Sequence, residues 1–86
     1  MLVEECIFTI TDVHVYKGEY STLVRTNHPR PMHAKFFARR SDFWQEGAIV
    51  RRRFERVDGR TMPESAVCIY TEFSGKLYRT TYERIG

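Results

Sequence analysis

The chain has 86 residues and a mass of 10.3 kDa, which is enough for one small domain (residues 1–86) and excludes two. Apolar residues make up 42% of the chain and charged residues 29%, which is typical of a globular protein and excludes a disordered or membrane-spanning one. The formal net charge is +3. Because Glu4 and Glu5 stand where a secretory signal would carry positive charge, we expect no secretory signal. Two cysteines in apolar runs predict a cytoplasmic protein, and we expect no membrane partner.

The first predicted strand covers about residues 4 to 16 and changes its apolar face partway along. Cys6, Phe8 and Ile10 take even positions, whereas the later apolar pair, Val13 and Val15, takes odd positions. Since successive side chains of a strand alternate, a flat strand cannot bury both sets on one side. The pattern predicts a bulge or sharp bend near Thr11 and Asp12, and a long bent strand of this kind closes a small barrel.

Two further strands are predicted before the middle of the chain. A turn at residues 17–19 leads into a strand over residues 20–26, and two prolines then make a loop of residues 27–31. Residues 32–39 alternate between an apolar face and a face that combines cations with Phe37. This alternation predicts the third strand.

The segment after the third strand predicts a short helical turn and a fourth strand. Residues 41–47 begin with a serine cap and end at a glycine, which predicts one or two helical turns. Residues 48–57 alternate as a strand, but the parity that turns their apolar side chains inward also turns Arg52 inward. This strand therefore bends, bulges, runs along an edge or takes another register. Asp58 and Gly59 predict a hairpin with a lengthened return.

A hairpin completes the predicted fold. The Ser-Gly dipeptide at residues 74–75 predicts a two-residue turn. The face that carries Phe73 and Tyr82 has more aromatic and branched mass, so we expect it to face the core, whereas Tyr70 lies beside Arg79 near solvent. Five or six antiparallel strands with one helical turn predict a small all-β barrel, either Src-homology-3-like or OB-like (oligonucleotide/oligosaccharide-binding).

Part of the second half carries a family resemblance. Its matching positions are Arg39-Arg40-Ser41, Trp44-Gln45, Gly47, Ile49-Val50, Pro63-Glu64, Val67, Gly75, Tyr78 and Glu83-Arg84-Ile85. On these residues, about residues 39–86 resemble the Src-homology-3-like barrel of the plasmid-borne type II dihydrofolate reductases. The resemblance implies an oligomeric barrel with a ligand-binding pore. The family's basic pore position corresponds to Arg39 or Arg40, and its Val-Gln-Ile-Tyr strand corresponds to Gly-Lys-Leu-Tyr at residues 75–78.

The positive charge is concentrated and consists mostly of arginine. The whole net charge of +3 falls between residues 39 and 60. The guanidinium group of arginine binds phosphates and stacks on rings. A sheet surface that offers aromatic rings to the bases and guanidinium groups to the phosphates is typical of proteins that bind single-stranded nucleic acid. We therefore predict a non-enzymatic barrel that binds nucleic acid, either single-stranded or through its backbone. The predicted binding residues are Lys35, Phe37, Arg39, Arg51, Arg53, Tyr70 and Arg79. The alternative is that Phe37 belongs to a second core or an oligomer contact and that the arginines are only solvated.

A second hypothesis is a protein-interaction factor. Accessory or inhibitor proteins of this size are typical of mobile elements and act on a host protein or as homo-oligomers. In that case exposed Phe37, Phe43 and Trp44 would anchor the interface. A third hypothesis, from the family resemblance, is an oligomeric, pore-type ligand binder.

No residue pattern points to catalysis or to a bound metal or cofactor. His14, His28 and His33 lack the spacing of a zinc site, although a metal pair at the last two is the alternative. Cys6 and Cys68 lie in apolar runs, which predicts free buried thiols in a reducing compartment, with one disulfide between them as the alternative. We expect a protein without cofactors that is not an enzyme.

Overall fold

The structure, a computed structural model, describes residues 1–61 and 66–86. Its six strands are β1 (Leu2–Val15), β2 (Thr22–Thr26), β3 (Lys35–Ala38), β4 (Ile49–Arg56), β5 (Val67–Phe73) and β6 (Lys76–Arg84), and one short helix, α1 (Pro31–Ala34), precedes β3. The strands form one antiparallel sheet in the order β3-β2-β1-β4-β6-β5. The sheet curls into a half-barrel, which confirms the predicted all-β class and leaves β3 and β5 as its two edges.

The predicted irregularity in the first strand is confirmed. The register of β1 against β2 shifts between Ile10 and Asp12, as a bulge requires. The bulge places Phe8 and Ile10 on the same side as Val13, and all three belong to the core or pack against it. Because it is bent, β1 pairs with β4 through its first half and with β2 through its second half.

The core fills only one end of the curled sheet. We call the face that carries Phe8, Val50 and Tyr82 the inner face, because all three are buried there, and we call the opposite face the outer face. Directly paired residues of antiparallel strands share a face, so the pairing assigns every strand residue to one face or the other. The buried cluster is Phe8, Ile10, Val24, Ala38, Trp44, Ala48, Val50 and Tyr82.

Trp44 belongs to this core, so the prediction that it is exposed is wrong. Its side chain is only 5% exposed, and its ring packs edge-on against Phe36 and Tyr82 at centroid distances of 5.4 and 5.1 Å. Phe43 is half-buried against it, at 4.8 Å. Burial of the large indole removes more apolar surface from water than any other side chain of this segment offers.

The final hairpin has the predicted register. Phe73 pairs with Lys76, Tyr70 with Arg79 and the remaining residues follow in step. Both turn residues have positive φ, 53° at Ser74 and 74° at Gly75, which is the backbone of a type I′ turn.

The helix and the third strand do not occupy the predicted residues. The helix is α1, whose first residue, Pro31, has the fixed φ that suits a first helical position, and residues 41–47 form turns instead. The third strand begins only at Lys35, although the alternation within it is correct. His33, which the alternation of residues 32–39 assigned to the same strand face as Phe37, lies in α1 and is buried.

The chain does not make a hairpin at Asp58 and Gly59, and this prediction is wrong. β6 lies between β4 and β5, so the connection crosses from one to the other. The inward parity of Arg52 is confirmed, but β4 is a central strand and not an edge. Its side chain is accommodated because Glu4 of β1 lies 3.5 Å away and the guanidinium lies over the Phe54 ring.

Both cysteines are free, and each is half-buried. Cys6 lies on the inner face of β1 and Cys68 on the outer face of β5, with β4 and β6 between them. The alternative of a disulfide is therefore wrong. Over residues 1–61 and 66–86, no helix is long and apolar enough to cross a bilayer.

Candidate nucleic-acid interface

The predicted binding residues lie on one face of the sheet but not on one surface. The register places six of them on the outer face, and Arg39 follows directly after β3. Lys35 and Phe37 lie on β3, at one edge of the curled sheet, whereas Tyr70 lies on β5, at the other edge. Arg51, Arg53 and Arg79 lie between the edges, on β4 and β6.

Most of the predicted cations contact carboxylates. The pairs are Arg39 with Glu19 at 2.5 Å, Arg51 with Glu83 at 2.6 Å, Arg53 with Glu5 at 2.6 Å and Arg79 with Glu55 at 3.0 Å. The hydrogen bond from Arg51 holds the pKa of the Glu83 carboxyl below its ordinary value, and the bond to Glu55 raises the pKa of Arg79. The outer face therefore has much less unbalanced positive charge than its arginines suggest.

Tyr70 and Arg79 are also occupied by the chain itself. The carbonyl oxygen of Thr61 accepts hydrogen bonds from Tyr70 Oη at 3.0 Å and from Arg79 Nη1 at 2.9 Å. The Arg60 guanidinium lies over the Tyr70 ring, 5.3 Å from its centroid. The segment that follows β4 thus covers this part of the outer face and uses the ring that was predicted to stack on a base.

The inner face of β4, β5 and β6 has the opposite character. None of the inner-facing residues of these three strands is acidic, whereas Glu55, Glu72 and Glu83 all lie on the outer face. Toward the 74–75 turn, beyond the core, the inner face carries rings and cations. We call this set the inner patch; it consists of Phe54, Arg56, Ile69, Phe73, Lys76 and Tyr78.

The apolar members of the inner patch are accessible to solvent. Phe73 is 70% exposed and Ile69 is 50% exposed. Phe54 and Tyr78 are half-buried and stack on each other, with ring centroids 5.2 Å apart and planes inclined by 9°. Three neighbouring strands thus present flat apolar surface on the concave side of the half-barrel.

Among the described residues, the cations of the inner patch have no carboxylate partner. Arg56 and Lys76 are exposed, and neither has an acidic group within 4.0 Å in the part of the chain that the structure describes. Glu4 is the acidic group that borders the patch, because it pairs with Phe54 across β1 and β4. Its carboxylate is already held by three cationic or polar side chains.

Glu4 is the centre of a polar cluster that docks α1 on the sheet. Its carboxylate lies 3.0 Å from His33 Nε2, 3.4 Å from Arg30 and 3.5 Å from Arg52. The hydrogen bond with His33 holds the pKa of Glu4 below its ordinary value, whereas burial lowers the pKa of His33 more than Glu4 raises it. Burial also raises the pKa of the nearby Cys6 thiol, so the cluster contains no activated nucleophile.

The alternative of a metal pair at His28 and His33 gains no support from this geometry. His33 Nε2 contacts Glu4, and His28 Nδ1 accepts a hydrogen bond from the main chain of Arg30 at 3.0 Å. Over the two described ranges, no three His, Cys, Asp or Glu side chains are grouped to hold a metal ion.

We expect stability to fall in mild acid because of this cluster. The folded-state pKa values of His33 and Glu4 both lie below their ordinary values of 6.5 and 4.5. When the pKa of a group is lower in the folded state than in the unfolded state, the stability that this difference contributes is complete above the unfolded-state pKa. It is lost as the pH falls through the folded-state pKa. The urea midpoint should therefore begin to fall below about pH 6.5 and fall further below about pH 4.5.

The matched variants are His33→Gln, which should remove the upper part of this pH dependence, and His14→Gln, on the exposed outer side of β1, which should retain it. A urea midpoint of the wild type that is constant between pH 7.5 and pH 5 would contradict the argument.

The sequence contained a signal for the inner patch. Alternate residues of two segments, Arg52, Phe54 and Arg56 on β4 and Lys76 and Tyr78 on β6, are all basic or aromatic. Parity assigned them to the core-facing side, which is correct, but only the half-barrel shows that the core ends before it reaches them.

Comparison with protein-family models, with curated proteins and with solved structures finds no significant match, so the function has to be argued from the site itself.

Proposed function

We propose that this protein binds single-stranded nucleic acid on the inner patch. One observation supports the proposal above the others. One exposed ring, two half-buried rings and two cations without a carboxylate partner among the described residues share a face of three strands whose inner-facing residues include no acidic side chain. A surface with this composition attracts a polyanion and offers its bases a place to stack.

The shape of the patch favours unpaired bases over a duplex. The rings of Phe54 and Tyr78 lie on the concave side of the sheet, and Phe73 projects beside the turn. Bases that are stacked and paired in a double helix do not expose their faces to such rings, whereas the bases of a single strand do. Arg56 and Lys76 would then contact phosphates along the same strand.

The first test is the salt dependence of oligonucleotide binding, measured by fluorescence anisotropy with a labelled mixed-sequence 12-mer of DNA or RNA. Arg56→Gln and Lys76→Gln should each reduce the slope of log K against log salt by about 0.7, the value for one phosphate contact with a single strand. Phe73→Ala should weaken binding about 5- to 150-fold, which corresponds to the loss of one base stack.

Outer-face arginines provide the matched controls. Arg51→Gln and Arg53→Gln remove one positive charge each but act on side chains that carboxylates already neutralise, so the slope should change little. A slope that responds to these two variants and not to Arg56→Gln or Lys76→Gln would place binding on the outer face. No binding to DNA or RNA at 50 mM salt would refute the function.

A second candidate is self-association or docking of a protein partner through the same face. The observation that favours it is the exposure of Ile69 and Phe73, two large apolar side chains on the same face of β5 with Thr71 between them. Size-exclusion chromatography with light scattering, with and without the 12-mer, separates the two candidates. A dimer that Phe73→Ala converts to monomer, and that the oligonucleotide leaves intact, would favour the protein-interaction function.

A further inference from the structure

A cleft separates the two edges of the half-barrel. It lies between β3 and β5, has a volume of about 420 Å³ and is lined by side chains from both edges. This volume is within the range of small-molecule sites in proteins. Val67, Ile69 and Tyr82 line it from the inner face, and Ile69 also belongs to the inner patch, so the cleft and the patch are contiguous.

Half of the residues that line the cleft are aromatic. Phe36, Trp44 and Tyr82 form a ring cluster with centroid distances between 5.1 and 5.8 Å, and Phe36 and Tyr82 are stacked with planes inclined by 21°. Two more rings, Tyr20 and Phe37, line the cleft with exposures of 68% and 63%. Rings that line a cleft favour a flat aromatic ligand over a branched aliphatic one.

Edge strand β5 adds polar main-chain groups to this wall. Because the hairpin has a two-residue turn, the flanking pair Phe73–Lys76 is hydrogen-bonded, and bonded pairs alternate with non-bonded pairs along the strands. The N–H and C=O groups of the odd-numbered residues therefore point to β6, and those of Cys68 and Tyr70 point away from β6 into the cleft. These groups provide the donors and acceptors that the edge of a nitrogen heterocycle requires.

Two arginines at the cleft can bind an anionic group of a ligand. Arg39 and Arg60 both line it, and their side chains are 67% and 59% exposed. Their partners, Glu19 and Glu72, are 59% and 71% exposed. Both side chains of each pair are therefore more than half exposed, unlike those of the Arg51 and Arg53 pairs. Surface ion pairs of this kind contribute little free energy, so a phosphate can replace the carboxylate at small cost, and a guanidinium binds it through two parallel bonds.

We propose that this cleft binds one nucleotide, with the base against its aromatic side chains and the phosphate at Arg60 or Arg39. The nucleotide is either free or one unit of the strand on the inner patch; the second case rests on the proposed function. The chemistry is the same in both cases: a planar nitrogen heterocycle that carries a phosphate.

Trp44 provides the signal for the test because it is the single tryptophan of the chain and lines the cleft. Adenosine monophosphate should quench its fluorescence in a saturable manner, while ribose 5-phosphate, which lacks the base, should not. Arg60→Gln and Phe37→Ala should each lower the affinity for adenosine monophosphate about tenfold. The matched control is Arg25→Gln, because Arg25 is also exposed and paired at 3.3 Å, with Asp12, but does not line the cleft.

The outcomes separate the cleft from the proposed function. Quenching by the monophosphate supports the cleft, and it does so even if the 12-mer fails to bind. If only the 12-mer quenches Trp44 fluorescence, and Arg60→Gln abolishes this quenching, the cleft proposal is also supported. The nucleotide in the cleft is then one unit of a bound strand. If the 12-mer binds by anisotropy but neither ligand changes Trp44 fluorescence, the cleft proposal is overturned and the inner patch stands. If equilibrium dialysis detects no bound monophosphate and the 12-mer does not bind, both the cleft proposal and the proposed function are overturned.

Discussion

Trp44→Ala should lower the free energy of unfolding by about 3–5 kcal/mol, the usual cost of truncating a large aromatic side chain in a core. The indole is 5% exposed and touches Phe36, Phe43 and Tyr82. A domain of this size has about 4–13 kcal/mol of stability in total, so the loss would be a large fraction of the whole. Urea unfolding followed by circular dichroism measures the change.

Phe37→Ala is the matched control for this prediction, because Phe37 is also aromatic but 63% exposed on the outer face. It should change the unfolding free energy by no more than about 1 kcal/mol. The loss in Trp44→Ala should also be independent of protein concentration, since the side chain is buried within one chain. A loss that shrinks on dilution would instead make Trp44 an interface anchor, as the sequence suggested, because dissociation of an oligomer would remove the interface contribution from the wild type as well.

Glu4→Ala should lower the free energy of unfolding by about 2–3 kcal/mol. Breaking a buried ion pair costs about 3–5 kcal/mol because it leaves a buried charge without a partner, and the partial exposure of Glu4 reduces this value. Without the carboxylate, Arg52, whose side chain is 14% exposed, and the buried His33 both lose their contact, and α1 loses its link to β1. Urea unfolding at pH 7.5 provides the measurement.

The neighbouring residue offers a closely matched control for Glu4. Glu5 has a similar side-chain exposure, 34% against 38%, and pairs with Arg53 at 2.6 Å, but on the outer face. Exposed ion pairs contribute little, so Glu5→Ala should cost far less. Equal losses in the two variants would show that the Glu4 cluster has no special part in holding α1.

Short-range patterns were enough to predict several features of this fold. The change of parity along β1 predicted the bulge, because a strand that alternates side chains can reverse its buried set only by gaining a residue. The dipeptide at residues 74–75 predicted the turn and the pairing of β5 with β6, because few residues adopt the positive φ that a type I′ turn requires.

Predictions failed where the competing choices differ only in long-range contacts. The helix was assigned to residues 41–47 because their cap and glycine suit one, but burial of Trp44 decided the conformation of that segment. Asp58 and Gly59 also suit a hairpin, yet β6 pairs with β4 and takes the place that β5 would need. Local propensity amounts to a few tenths of a kcal/mol per residue, and strand pairing and core burial outweigh it.

The sequence by itself determined the all-β class, the parity of the side chains along most strands and the concentration of arginine in the middle of the chain. Only the tertiary structure decided which charges remain unpaired and where the core ends. The physical reason is that an ion pair such as Arg53–Glu5 joins residues far apart in the chain, so the free charge of a face depends on strand order. The same strand order leaves Arg56, Lys76 and Phe73 uncovered on the inner face, where parity alone had predicted a core.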